Sequence, residues 1–183
     1  MKQRGMVCIT MNNAQKNSFV RHQITDTLIG MLKEKSIQEI SVSDLTDRAG
    51  VGRVSFYRNF SDKEDVLRQE SARLLQQWGI LFESGQGNDE YNHVFLSLFD
   101  YLRQNREFYT VLCSAGLSDI LMDTVVATAR LNPDMPNLEA YLKSFWAYGI
   151  FGWIKEWIQR GMTESGEELE RLFALWGAQI PEH

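Results

Sequence analysis

From Lys16 to Lys35 the apolar residues Val20, Ile24, Leu28 and Met31/Leu32 fall three and four positions apart, and comparable spacing returns through most of the chain. That repeat gathers side chains on one face of a helix, whereas a half-buried strand requires alternation by two. Alternating runs are scarce, and the three prolines, Pro133, Pro136 and Pro181, all lie late in the chain. Proline is the residue a helix interior tolerates least. The fold is therefore expected to be all-α. A length of 183 residues suffices for one substantial domain, or for a small one joined to a larger one.

Punctuation divides the chain. After the first helix, Ser41 with Asp44 three residues on opens a short second one that buries Val42, Leu45 and Ala49. Gly50-Val51-Gly52 breaks it, and a third helix runs from about Arg53 to Phe60. Ser61 with Glu64 starts a fourth, reaching about Glu83, before SGQGND at 84–89 reads as a linker. Further helices are expected near 91–104, 106–115, 118–130, 138–160 and 165–178, with LNPDMPN and GMTESGEE as breaks.

The stretch GVGRVSFYRNF, residues 50–60, mixes three rings with two arginines, a serine and an asparagine. A core helix has no use for so many polar heads, and a solvated helix has none for the rings. Short helix, glycine-containing turn and second short helix make a helix-turn-helix, and that arrangement accounts for the mixture. Val51, Phe56 and Phe60 would pack the second helix onto the first two, leaving Arg53, Val54, Ser55, Tyr57, Arg58 and Asn59 at a DNA major groove. Arg53 can fork onto a guanine, Ser55 can bond several bases and Val54 can touch a thymine methyl. Tyr57, Arg58 and Asn59 suit phosphates, which position without reading sequence. Ser41 and Val42, at the head of the preceding helix, and Lys63, at the head of the following one, complete the residues assigned to DNA.

Charge is unevenly distributed. Residues 1–63 hold ten Lys/Arg against six Asp/Glu, a net of +4, and residues 64–183 hold nine against eighteen, a net of -9. Phosphate contacts respond to the local field, so an acidic total does not exclude nucleic acid. The first ten residues are expected to be a disordered extension, with a flexible basic arm through Lys2, Arg4 and Lys16 as the alternative. Cys8 and Cys113 are too few for a disulfide framework or metal cluster, and no apolar run is long enough to span a bilayer. No apolar stretch like a secretory signal appears in MKQRGMVCITMNNAQKN, so a cytoplasmic location without membrane attachment is expected.

SVSDLTDRAGVGRVSFYRNFSDKEDVL, residues 41–67, strongly resembles the DNA-binding region of the TetR family of bacterial transcriptional regulators, and the likeness extends upstream through ITDTLIGMLKEKSIQEI. The residues that carry it are Ser41-Val42, Ala49-Gly50-Val51, Phe56-Tyr57, Phe60 and Lys63-Glu64. Two positions depart from the family pattern. Gly52 stands where Ser or Thr is usual, and Asn59 where His or Tyr is. The resemblance implies a flexible extension (1–15), a three-helix helix-turn-helix domain (16–62) and a helical effector-binding and dimerisation domain (63–183).

In that second region WAYGIFGWIKEWIQRGM, residues 146–162, is apolar nearly all round, so every side of it must be covered. A partner subunit provides the cover in the reading the family implies. With the last helix it would form a four-helix bundle across a two-fold axis, through Trp153, Trp157, Leu172 and Trp176. Trp78, Phe82, Phe95, Phe99, Phe108, Tyr109, Met122, Tyr141, Phe145 and Tyr148 are the candidates for an effector pocket suited to a small apolar or aromatic molecule. His22, His93 and His183 are dispersed, and no His/Cys/carboxylate spacing points to a metal or other cofactor. No G-x-S-x-G elbow or P-loop points to an enzyme. The expected protein is a homodimeric repressor of a palindromic operator, released by its effector. The alternative is a TetR-like activator or co-regulator whose C-terminal region binds a protein.

Overall fold

A computed structural model describes residues 12–84 and 94–178, apart from the side chains of 84 and 176–178. Among these residues every regular element is helical. α1 spans Asn13–Leu32, α2 Val42–Arg48, α3 Arg53–Asn59, α4 Lys63–Ser84 and α5 Val94–Gln104. α6 spans Arg106–Ser114, α7 Ser118–Thr128, α8 Asn137–Gln159 and α9 Gly166–Ala178. Residues 85–89 of the expected linker lie outside the described residues; Ser84 is the last residue of α4.

Local hydrogen bonds explain where the helices depart from the expected limits. α1 opens three residues ahead of Lys16 because Asn12 and Gln15 cap each other: the Gln15 amide donates to Asn12 Oδ1 at 2.8 Å and the Asn12 amide to Gln15 Oε1 at 2.9 Å. A 3₁₀ turn, Ile37–Glu39, was not foreseen. It buries Ile37 and is closed by Glu39, which accepts from the Ser36 amide at 2.9 Å and its hydroxyl at 2.6 Å. At the head of α4 the cap comes from Asp62 rather than Ser61. Asp62 Oδ1 accepts from the Asp65 amide at 2.6 Å, and the Ser61 amide donates back to Asp65 Oδ2 at 2.9 Å.

The chain divides inside α4 into two compact units, residues 1–66 and 67–183. In the first, α1 packs on α2 and α3 around Ile24, Leu28, Leu45 and Phe56, all fully buried. In the second, α7 and α6 pack on α8, and α5 on α9, around Phe99, Leu102, Tyr109, Leu121 and Ile154. α9 is seated by close approach. A Cβ added at Gly166 would lie 2.8 Å from the Leu96 carbonyl oxygen, so the helix start touches α5 backbone directly. The preceding loop is anchored where Trp157 Nε1 donates to the Glu164 carbonyl at 3.1 Å, an oxygen that also accepts from Arg103.

Candidate nucleic-acid interface and effector cavity

α2 is capped by Ser41, whose hydroxyl oxygen accepts from the Asp44 amide at 3.0 Å. Its other end turns at Gly50, which has φ +65°, a left-handed conformation that glycine adopts without steric cost. The Gly50 amide reaches the Asp47 carbonyl at 3.2 Å and the Val51 amide reaches Thr46 at 3.0 Å. α3 then starts from Gly52, which supplies no side-chain cap. The cost relative to serine is a few tenths of a kcal/mol.

Phe56 and Phe60 hold α3 from behind, with ring centroids 5.8 Å apart, and the Arg21 guanidinium lies 5.6 Å from the Phe60 centroid. The opposite face is open: Arg53, Val54, Tyr57 and Arg58 are exposed, Val54 by 74% and Tyr57 by 61%. The Tyr57 ring sets its edge against Phe56, centroids 5.2 Å apart, so it is steadied while most of its surface faces outward. The Arg53 guanidinium donates to the Ser43 hydroxyl on α2, which ties the N-terminal end of α3 to the helix before it.

Three residues assigned to DNA are placed differently from expectation. Lys63 turns inward: its Nζ donates to the carbonyls of Ile37 and Ile40, both at 2.5 Å. The Ile37 oxygen also accepts from the Ile40 amide at 3.3 Å, so the ammonium is a second donor to it and ties the 3₁₀ turn to the head of α4. Asn59 is half-buried and donates its amide to the Ser55 carbonyl at 2.8 Å, so it braces α3 instead of reaching away from it. Val42 is half-buried at the head of α2. A missed feature lies beside them. Asn13, Lys16 and Asn17 of α1 border a cleft of about 620 Å³ with Ser55 and Arg58 of α3. The Asn12/Gln15 cap was the available signal, since it places Lys16 in a helix and not on a loose arm.

In the second unit a cavity of roughly 570 Å³ opens between α4, α5, α7 and α8. Leu75 and Trp78 of α4, Leu98 of α5, Val125 of α7 and Ala147 of α8 supply apolar walls, and Glu83, Arg130 and Lys143 lie among its lining residues. Trp78 is the one expected pocket residue that lines it. Phe99, Phe108 and Tyr109 are buried core. The Tyr109 hydroxyl has no hydrogen-bond partner among the described residues, and burial pushes its pKa well up. Phe95 sits in an aromatic cluster, stacked on Phe173 at 4.3 Å and edge-on to Trp153 at 6.0 Å. Phe82 stacks on Trp78 outside the cavity at 5.7 Å, and Met122 is half-buried elsewhere on α7. Tyr141, Phe145 and Tyr148 face outward, 69%, 61% and 50% exposed.

These outward residues belong to a long apolar face. Leu138, Tyr141, Leu142, Phe145 and Tyr148 recur at three- and four-residue steps along α8, and Leu172 and Leu175 are exposed on α9. Gly149 and Gly152 continue the exposed side of α8, and nothing lies within 4 Å of a Cβ built on either. Of the expected interface residues, Leu172 is exposed by 47%. Trp157 is not: it is 3% exposed, edge-on to Phe99 at 5.0 Å with the Arg103 guanidinium 5.4 Å from its ring. Trp153 is half-buried, and the Trp176 side chain lies outside the described residues. A helix apolar on all sides gives no periodic sign of which side its own subunit takes, which is why α8 misled.

Among the described residues no helix is long and apolar enough to cross a membrane, and no group of His, Cys, Asp and Glu is arranged to hold a metal ion. Two family models match. Residues 24–69 match the bacterial regulatory proteins of the tetR family, and residues 89–175 match a transcriptional regulator C-terminal region of TetR type. An uncharacterized HTH-type transcriptional regulator of Bacillus subtilis, YxbF, is 21% identical over 87% of this chain, which spans about half of that relative's length (47%). The crystal structure of Lin0861 from Listeria innocua superposes with a TM-score of 0.75 at 16% identity, over 94% of this chain and 96% of that one, a likeness of fold alone. The helix-turn-helix at 41–60 and the all-helical region behind it thus carry the two matched models in the order that family has them. The chain belongs to the TetR family of bacterial regulatory proteins, which are DNA-binding regulators and not enzymes.

Proposed function

We propose that the protein is a cytoplasmic transcriptional repressor that binds a palindromic operator as a homodimer and leaves it when a small, largely apolar effector occupies the cavity between α4, α5, α7 and α8. The observation that carries the DNA reading is the division of α3. Phe56 and Phe60 are buried while Arg53, Val54, Tyr57 and Arg58 are exposed on one short helix. Such a helix is fixed in angle and free in front, which groove insertion requires. Ser41 and Lys16 lie at its flanks for phosphate contacts.

The second copy is the partner that suits the exposed α8 and α9 face. Monomeric proteins rarely leave contiguous apolar patches of several large side chains open to water. Gly149 and Gly152 would let two α8 helices approach closely at their crossing, and a two-fold axis matches the symmetry of a palindrome. Effector control would run through elements that the cavity shares. α8 presents Lys143, Trp146 and Ala147 to it and its apolar face outward, while α4 is helical without interruption from Lys63 to Glu83. An effector that favours one arrangement of α4 and α8 lowers operator affinity by its coupling energy.

Footprinting on the DNA upstream of the gene and its neighbours tests this reading. It should show two protected half-sites about 10 base pairs apart, or a multiple of that, related by a dyad. Protection of a single unrepeated site would contradict the dimeric reading, and transcription that rises when the protein binds would contradict repression.

A further inference from the structure

The cavity is graded from floor to rim. Leu75, Leu98, Val125 and Ala147 are buried, whereas Glu83 and Arg130 are exposed and Lys143 is half-exposed. Other polar groups of the lining are already used. Trp78 Nε1 donates to Ser97 Oγ at 3.0 Å, and the Thr128 hydroxyl donates to the Val125 carbonyl at 2.6 Å. Lys143 is held by Glu139 at 2.8 Å, one turn earlier on α8. Arg130 stands apart from these: among the described residues its guanidinium has no carboxylate or carbonyl partner.

Its backbone is unusual too. Arg130 follows the last turn of α7 with φ +51°, in the left-handed region where a helix usually ends on glycine. Backbone convenience alone does not account for an arginine at that position, and residues held in such conformations cluster at ligand sites. Glu83 reaches the lining from α4, whereas Arg130 and Lys143 come from the α7 and α8 side. The positive lip thus offers one free guanidinium and one ammonium already shared with a carboxylate. That suits a single negative charge better than a doubly charged phosphate.

We propose that the effector is an amphipathic carboxylate, with its aliphatic or aromatic body on the Leu75–Leu98–Val125–Ala147 floor and its carboxylate forked onto Arg130. Planar guanidinium and planar carboxylate meet through two parallel N–H···O bonds, which fixes the head while the apolar body supplies most of the binding. The volume lies within the range of small-molecule sites. This assignment rests on the effector reading of the cavity and adds the charge and chemical class of what enters it.

Tryptophan fluorescence of the full chain, with Trp78 and Trp146 in the cavity wall, reads binding of decanoate, decanol and decylammonium at pH 7.5, each below its micellar concentration. Decanoate should bind at least tenfold more tightly than decanol, and decylammonium most weakly. In Arg130→Gln and Arg130→Gly the decanoate preference should fall to within twofold of decanol, with the decanol affinity unchanged. Glycine fits the left-handed backbone, so Arg130→Gly should be no less stable than the parent, and its loss of preference cannot come from unfolding. Ala129→Trp, which narrows the mouth, should weaken all three. Equal binding of decanoate and decanol, or a preference that survives Arg130→Gln, overturns the charge assignment alone. Decanoate binding that ignores Ala129→Trp places the ligand elsewhere and overturns the site. If none of the three binds, both the carboxylate assignment and the small-effector reading of this cavity fall.

Discussion

Arg53 and Lys63 are both cations at the start of a helix, and their surroundings give them opposite tasks. Arg53 is exposed and steadied by the Ser43 hydroxyl, so its fork is partly ordered and, in the proposed function, free to meet a base. Arg53→Ala should therefore cost about 1–3 kcal/mol at one operator position and relax discrimination there. Binding measured against operators substituted one position at a time checks this, and a uniform loss on every sequence would make Arg53 a phosphate contact. Tyr57→Phe should lose on the order of 1 kcal/mol on operator and random DNA alike, because only one hydrogen bond goes. Lys63→Ala should leave base preference untouched and lower the denaturation midpoint. It strips the donor from the Ile40 carbonyl and one of two from that of Ile37, at roughly 1–3 kcal/mol for a buried group left unsatisfied. The exposed face of Arg53 and Tyr57 was legible because buried Phe56 and Phe60, four residues apart, fix which side of α3 faces out. The task of Lys63 was not legible, since the carbonyls it satisfies are created by a 3₁₀ turn that leaves no periodic trace.

At the scale of elements, helix limits were readable wherever a cap or a glycine marks them, and the long apolar helix was readable as a helix but not by face. Two caps lend themselves to test. Glu39 is held below the usual carboxylate range by the Ser36 hydroxyl and amide, and Glu168 by the Ser165 amide and hydroxyl. A depressed folded pKa means that the contribution is present above the ordinary value of 4.5 and is lost as pH falls through the folded pKa. Denaturant midpoints followed from pH 6 downward should thus fall less steeply in Glu39→Gln than in the parent; an unchanged slope would contradict the cap. α9 offers a steric test. Gly166→Ala sets a methyl 2.8 Å from the Leu96 carbonyl oxygen, so helix or partner must shift, at about 1–3 kcal/mol. A variant as stable as the parent would show that α9 is not seated on α5 in this way.

The molecule as a whole combines a net +4 over residues 1–63 with -9 over the remainder, an apolar face on α8 and α9, and an α4 unbroken from Lys63 to Ser84. The all-round apolar run was legible as a need for cover, but not which of its residues stay open in the single chain. Trp157 fills the subunit, and the open residues begin earlier, at Leu138. Phe145→Glu is the sharper probe of that surface. The side chain is 61% exposed in the single chain, so the variant should fold, and a charge buried without a partner in the dimer costs several kcal/mol. The central claim, that two copies of α3 read a dyad together, is tested most directly by titrating the protein against two labelled duplexes. One carries the footprinted palindrome, and the other has one half-site scrambled. Fluorescence anisotropy should show the parent binding the palindrome at least a hundredfold more tightly than the half-site, through the effective concentration of the linked second helix. Phe145→Glu, a monomer by sedimentation, should bind both duplexes equally and weakly. A parent protein that binds palindrome and half-site alike, or a monomeric Phe145→Glu that keeps the full palindrome affinity, would contradict the account.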